Sequence, residues 1–333
     1  AVLVRKQFAE KVSIWGGYTA DLNSTASIDV DTQGSAFTEE RYETSGGIDY
    51  LHSKTLMSLS FVQSDENDHP STTYAVGVSQ DFFGDLSTLS INYGRSEDEI
   101  YQNIRNDNGD ITGRTFQGDM NRQTYSVSWT QVLTKSWIVS LTAQSTIDNG
   151  KLENPYRRIR YRVNTGTGES EHPEKYPNTR NSEAYALSSK YFLPYRAAVG
   201  LNYRYFTDSW DVVASNYQIS YTHPIGNQWI VEGRYRYYEQ TQASFYGDFF
   251  NFENESTFMG RDKELSTYDN VAFGFGITYE LPPNLLSWID RSTVNFYYDR
   301  VSYQYDNYLD RRESKYQGVT PGEESLFECD ANV

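Results

Sequence analysis

The chain has 333 residues, a net charge of −16 and a mean hydropathy of −0.69, yet aromatics make up 16% of it, with 29 Tyr and 17 Phe. The acidity argues against nucleic acid as a partner. No run of about 18 apolar residues could form a transmembrane helix, and one Cys, four His and three Met leave no internal disulfide and little capacity for zinc, copper or haem.

High aromatic content with low hydropathy fits a wall one residue thick, apolar outside and polar inside. The opening AVLVRKQF lacks the apolar core of a secretion signal, so the sequence reads as mature protein with its signal removed. From there, period-two alternation bounded by Gly, Asn, Asp and Pro predicts short strands and no long amphipathic helix.

The first predicted strands are 11–20, then 42–51 after a long connection, 55–63 after the tight HSK turn, and 72–80 after a medium loop. Residues 86–95 follow the FFGD turn, 123–131 a long loop at 96–122, and 136–146 the VLTK turn. A long loop at 147–183 leads to 184–191, the LPY turn to 196–206 and the TDSWD loop to 213–222. The HPIGN turn leads to 228–238, a long loop at 239–267 to 268–280, and LPPNLLSWID to 292–303.

These thirteen strands alternate long and short connections, as an up-and-down antiparallel barrel does with long extracellular loops and short periplasmic turns. Both ends on the periplasmic side require an even count, so the expected fold is all-β: one transmembrane barrel domain over 1–333, with about 14 strands. Residues 325–333 would begin the last strand, which is expected to be cut short.

Two faces follow from the period. Val271, Phe273, Phe275, Ile277 and Tyr279 oppose Ala272, Gly274, Gly276 and Thr278, while Val199 and Leu201 oppose Gly200 and Asn202. Tyr125, Val127 and Trp129 likewise oppose Ser126 and Ser128. The second face also carries charge: Glu43, Asp49, Lys190, Arg204, Glu232, Arg234, Arg236, Glu280 and, where the phase of its strand slips, Asp299. Mixed charges need water or partners, which points to a wet lumen narrowed by internal ion pairs. Tyr203, Tyr205, Phe206, Tyr235, Tyr237 and Tyr238 gather at one set of strand ends, with Trp137 and Trp229 at the other, as interfacial girdles would.

Several strings are distinctive: ASIDV (26–30), NPYRRIRY (154–161), EKYPNTRNSEA (174–184), YRYFTDSWD (203–211), QASFYGDFF (242–250) and FMGRDKELST (258–267). On these the chain resembles, over nearly its whole length, a family of bacterial outer-membrane proteins catalogued as a domain of unknown function. The resemblance implies a last strand closing on an aromatic residue, absent here. It also implies a genomic association with thioredoxin-like proteins, a small lipoprotein and a flavin-attaching transferase, and it supplies no catalytic residue.

Candidate sites come from charge. Arg157, Arg158, Arg160 and Arg162, with Lys175 and Arg180, form a basic, aromatic segment in an acidic protein. It would either fold inward as an anion-selecting constriction or grip lipopolysaccharide phosphate, or it would be pinned by neighbouring acids. The lumen residues Arg204, Glu232, Arg234 and Arg236 are the other constriction candidates.

Asp29 and Asp31, the run Asp65, Glu66, Asn67 and Asp68, and the run Asp107 to Asp110 offer oxygen ligands, so Ca²⁺ is the one cofactor considered, although none has full calcium-loop spacing. A hydrolytic triad on His172 has too little histidine around it, and no enzyme is expected.

The expected function is a channel or gated pore for small hydrophilic solutes or ions in the outer membrane of a Gram-negative bacterium, in contact with lipid and lipopolysaccharide. The alternative is an outer-membrane anchor for a periplasmic redox or metal-handling system, docking a small lipoprotein or thioredoxin-like protein.

Overall fold

A computed structural model describes residues 1–24, 38–106, 111–163, 168–281 and 292–332. Its strands are β1 (Val2–Phe8), β2 (Val12–Ser24), β3 (Thr38–His52), β4 (Thr55–Glu66), β5 (Ser71–Phe82) and β6 (Ser87–Arg105). Next come β7 (Ile111–Thr134), β8 (Trp137–Gly150), the short β9 (Arg158–Arg162) and β10 (Glu169–Pro173), and β11 (Thr179–Phe192). The chain continues through β12 (Ala198–Asp208), β13 (Val213–Ile225), β14 (Trp229–Gln240), β15 (Tyr268–Glu280), β16 (Thr293–Leu309) and β17 (Leu326–Asn332). All but β9 and β10 form one antiparallel meander of 15 strands; those two form a separate hairpin.

The expected fourteen strands become fifteen because both edges are partial. β1 covers only Val12–Tyr18 of β2, near the short turns, while β17 runs beside Arg300–Leu309 of β16, near the loops. Both run from loop end to turn end and occupy complementary halves of the wall, beside the thirteen full strands. No pairing joins β1 to β17 among the described residues. β1 is invisible to turn chemistry because its hairpin uses Ala9 and Glu10, both at positive φ, in place of the usual Asn-Gly.

The segment expected as a loop at 96–122 is instead mostly sheet, since β6 and β7 pair as far as Arg105 and Ile111. A hairpin with solvent on both faces needs no apolar alternation and gives no period-two signal.

The two faces appear as expected. Leu201, Ile219, Tyr235 and Phe273 form an outward ladder across β12 to β15, all exposed. Asn202, Gln218, Arg236 and Ala272 form the row beside it on the inner face. Outward tyrosines near the loop end are held by a residue two places closer to the loops. Tyr42 donates to Glu40 (3.0 Å), Tyr125 to Gln123 (2.9 Å) and Tyr185 to Glu183 (2.8 Å).

The pattern inverts on the loop side of β16. Arg300 and Ser302 join Asp330 on the outward face, while Val301 and Tyr303 turn inward. That is the phase slip visible in the sequence near Tyr298, and it leaves Asp299 inward, opposite Gly274.

Candidate functional site

At the loop end the connections at 151–178, 241–267 and 310–325 pack on one another as a cap. Burial drives it: Tyr176, Trp210, Phe245, Tyr246 and Leu265 form one cluster, and Ile159, Phe250 and Met259 a second. The Trp210 and Phe245 rings meet edge to face at 5.1 Å. Backbone hydrogen bonds tie the segments, with Lys175 and Met259 exchanging two (3.0 and 2.9 Å) and Phe250 N donating to Arg160 O (2.9 Å).

An ion cluster locks the three connections together. Arg160 is fully buried, with Nη1 2.6 Å from Glu324 Oε1 and Nη2 2.5 Å from Asp248 Oδ2. Arg261, also buried, places Nη2 3.0 Å from the other Asp248 oxygen and donates from Nε to the Asp248 carbonyl (3.1 Å). Arg311 joins from beyond β16 by pairing with Glu169 (3.1 Å) and Glu171 on β10. Burial opposes ionisation of Glu324, but hydrogen bonds from Ser314 and Arg160 hold its carboxyl below the usual range. Such clusters fix one arrangement because any member left alone would be a buried unpaired charge.

Glu174 is different. It is buried beside Arg261, accepting from the Arg261 backbone N–H (2.6 Å) and the Tyr176 hydroxyl (2.5 Å). Burial, reinforced by the Asp262 charge, pushes its carboxyl up to about 7.

Of the basic segment, Arg157 pairs with Asp262 (3.1 Å), Arg160 anchors the cluster, and Arg158 and Arg162 are exposed, Arg162 lying 5.9 Å from the Phe249 ring. None of these four lines the cavity that opens beneath the cap.

That cavity, of about 1130 Å³, is bounded by inner faces of strands from β7 round to β17, so the sheet curls around it. Tyr176, Trp210 and Leu265 of the cap form its roof. Arg122, Arg180, Arg204 and Arg236 project from its walls. Arg122 is neutralised by Asp148 (2.7 Å), and Arg180 by Asp208 (2.6 Å) while lying 4.5 Å from the Trp210 ring.

Arg204 makes no hydrogen bond or ion pair among the described residues. Arg236 reaches only the neutral Asn270 Oδ1 (3.3 Å), and its buried Nε has no partner. The charges of Arg180, Arg204 and Arg236 all bear on the Tyr238 hydroxyl. Lower on the wall Arg234 is bound to Asp299 at 2.7 Å, and Glu232 stands half-buried beside it on the inner face. Of the four lumen constriction candidates, Arg234 is therefore closed by Asp299 with Glu232 beside it, and Arg204 and Arg236 have no acidic partner among the described residues.

The oxygen-rich candidates are not brought together. Asp29, Asp31 and residues 107–110 lie outside the described residues, and no group of three or more His, Cys, Asp or Glu suited to a metal occurs among those described, Asp65 and Asp68 included. His172, on β10, has Nδ1 2.6 Å from the Pro173 carbonyl and its ring against Tyr161. No serine or carboxylate is hydrogen-bonded to it among the described residues.

Charge clustering did not reveal Asp248, Arg261 and Glu174, because their partners are distant in sequence. Yet all three fall in the distinctive strings at 174–184, 242–250 and 258–267.

A family model described as a protein of unknown function, DUF3570, matches residues 21–308. No curated protein matches the sequence. Among solved structures, the siderophore receptor PirA from Acinetobacter baumannii aligns with a TM-score of 0.52 at 9% identity, over 98% of this chain and 53% of the receptor. A variant ferric enterobactin receptor from Pseudomonas aeruginosa, in complex with enterobactin, aligns with a TM-score of 0.51 at 11% identity, over 91% of this chain and 50% of that one. The chain thus spans about half the length of these receptors, and the likeness is one of fold.

Proposed function

The chain belongs to the DUF3570 family, and from that premise we propose that it is an outer-membrane barrel of a Gram-negative bacterium that admits small hydrophilic solutes or ions through a lumen gated by its cap. The observation that carries this reading is the cavity of about 1130 Å³, lined by four arginines, that lies between the inner faces of β7 to β17 beneath the three packed connections. A wall filled by its own side chains would leave no such space, whereas barrels of this size can enclose one. The outward ladder of Leu201, Ile219, Tyr235 and Phe273 supports lipid contact, and the tyrosines bound to Glu40 and Glu183 suit the headgroup level, where one end is apolar and the other wet.

The test is single-channel conductance of the refolded chain in planar bilayers, with and without a cap-opening substitution. Steps of conductance that grow when the cap is loosened support the gated pore. A bilayer that stays silent with both proteins, together with co-purification of a small lipoprotein or thioredoxin-like protein, would replace it with the anchoring role.

A further inference from the structure

The cavity beneath the cap holds two guanidinium groups, those of Arg204 and Arg236, that pair with no carboxylate among the described residues. In a chain of net charge −16, carboxylates are abundant, and Arg122, Arg160, Arg180, Arg234 and Arg261 each have one within salt-bridge distance. Arg204 and Arg236 do not. They flank β13 on its inner face, Arg204 facing Asn216 and Arg236 facing Gln218, so neutral amides fill the positions where acids would otherwise quench them.

Arg236 is half-buried with its Nε shut off from water and unpartnered, while Arg204 stands open to solvent at the cavity wall; positive charge with no acid beside it becomes useful when a ligand supplies the counter-charge. Beside the arginines, the Tyr238 and Tyr268 rings lie 5.6 Å apart and provide an aromatic shelf, with the Tyr238 hydroxyl donating to Gln240 Oε1 (2.7 Å).

We infer that this cavity binds a small, multiply charged anion carrying carboxylate or phosphate groups, held by Arg204 and Arg236 and backed by Tyr238 and Tyr268. Guanidinium forks take either oxyanion in the same two-point geometry, so the two share one recognition chemistry. The volume accommodates a metabolite-sized solute. The inference deepens the pore reading by naming the class of solute, and rests on it only for access from outside.

The test uses the whole chain refolded in detergent, with titration calorimetry at low ionic strength against citrate, pyrophosphate and the cation spermidine. Binding of citrate or pyrophosphate is expected, weakened roughly tenfold or more in the double variant Arg204→Gln, Arg236→Gln and unchanged in Lys54→Gln, which removes a positive charge from a turn. Heat-modifiable mobility on gels confirms that each variant is folded. Preference for one anion assigns the site to carboxylates or to phosphates.

The proposal is overturned if a folded barrel binds neither anion, binds spermidine as tightly, or binds anions equally well without the two arginines. A conducting barrel that binds no anion would sink the site and spare the pore. An anion-binding barrel that does not conduct would do the reverse.

Discussion

Asp299 on β16 grips Arg234 on β14 across the whole width of β15, with both carboxylate oxygens within 2.8 Å of one guanidinium nitrogen, and the two side chains meet directly over Gly274. A Cβ at Gly274 would overlap Asp299 Oδ1 and come within 2.8 Å of Arg234 Nε. Gly274→Ala should therefore push the pair apart and cost about 1–3 kcal/mol, read as a lower urea midpoint for refolding into vesicles. Gly276 is a milder case, because a side chain there meets the Tyr297 ring, which is free to swing. An alanine at 274 with an unchanged midpoint would show that the bridge does not stabilise the wall.

Arg160 holds the cap through two carboxylates buried with it. Arg160→Gln strands the buried Glu324 without its cation and leaves Asp248 with Arg261 alone, and breaking a buried pair costs about 3–5 kcal/mol. The cost falls on the cap, whose members at 151–178, 241–267 and 310–325 all meet at this residue. Limited proteolysis should cut the variant within those segments at protease levels that leave the wild type whole, while the barrel keeps its heat-modifiable mobility. Loss of the barrel itself would mean that cap and wall fold as one unit.

How far the sequence reaches is set by what each residue answers to. Phe273, Gly274 and Phe275 answer to a local rule, lipid on one side and lumen on the other, so period two places them and thirteen full strands follow. Asp248 and Glu324 answer to Arg160, which lies 88 and 164 residues away, and no local pattern encodes such a meeting. The arginines at 157–162 looked alike as a basic run, but tertiary packing buried Arg160 and left Arg158 exposed. Arg204 and Arg236 were legible as lumen residues. Their lack of partners was not, because it depends on which neighbours β13 supplies.

Outward and inward positions should differ sharply in chemistry. Phe275→Arg, on the outward face opposite Tyr298, should cost about 2–4 kcal/mol near the midplane. Asn202→Asp, on the inner face beside Gln218, should be tolerated. Single cysteines at 201 and 273, in a Cys329→Ser background, should react with a lipid-soluble maleimide, and those at 202 and 218 with an impermeant one. Equal labelling of both sets by both reagents would remove the barrel reading.

The cap should loosen as pH rises through neutrality. Glu174 lies in the cap, outside the strands of the wall, and burial first, then the Asp262 charge, raises its carboxyl from an ordinary 4.5 to about 7 in the folded cap. Hydrogen bonds from Tyr176 and the Arg261 N–H, with the Arg157 charge, oppose that rise without cancelling it. Because the folded value lies above the unfolded one, the contribution to stability is fully present below about 4.5, declines between 4.5 and 7, and is lost above 7. At about 1.4 kcal/mol per unit the swing is on the order of 3 kcal/mol. Tyr176, pushed well above 10.0, stays protonated and keeps donating throughout. Hydrogen exchange of residues 169–178 and 243–250, corrected for intrinsic rates, should therefore be more protected at pH 5 than at pH 8. Glu174→Gln keeps an acceptor oxygen yet cannot ionise, so it should flatten the difference. Protection that is equal at both pH values in the wild type, or a difference that persists in the glutamine variant, would assign the cap's pH response to other groups.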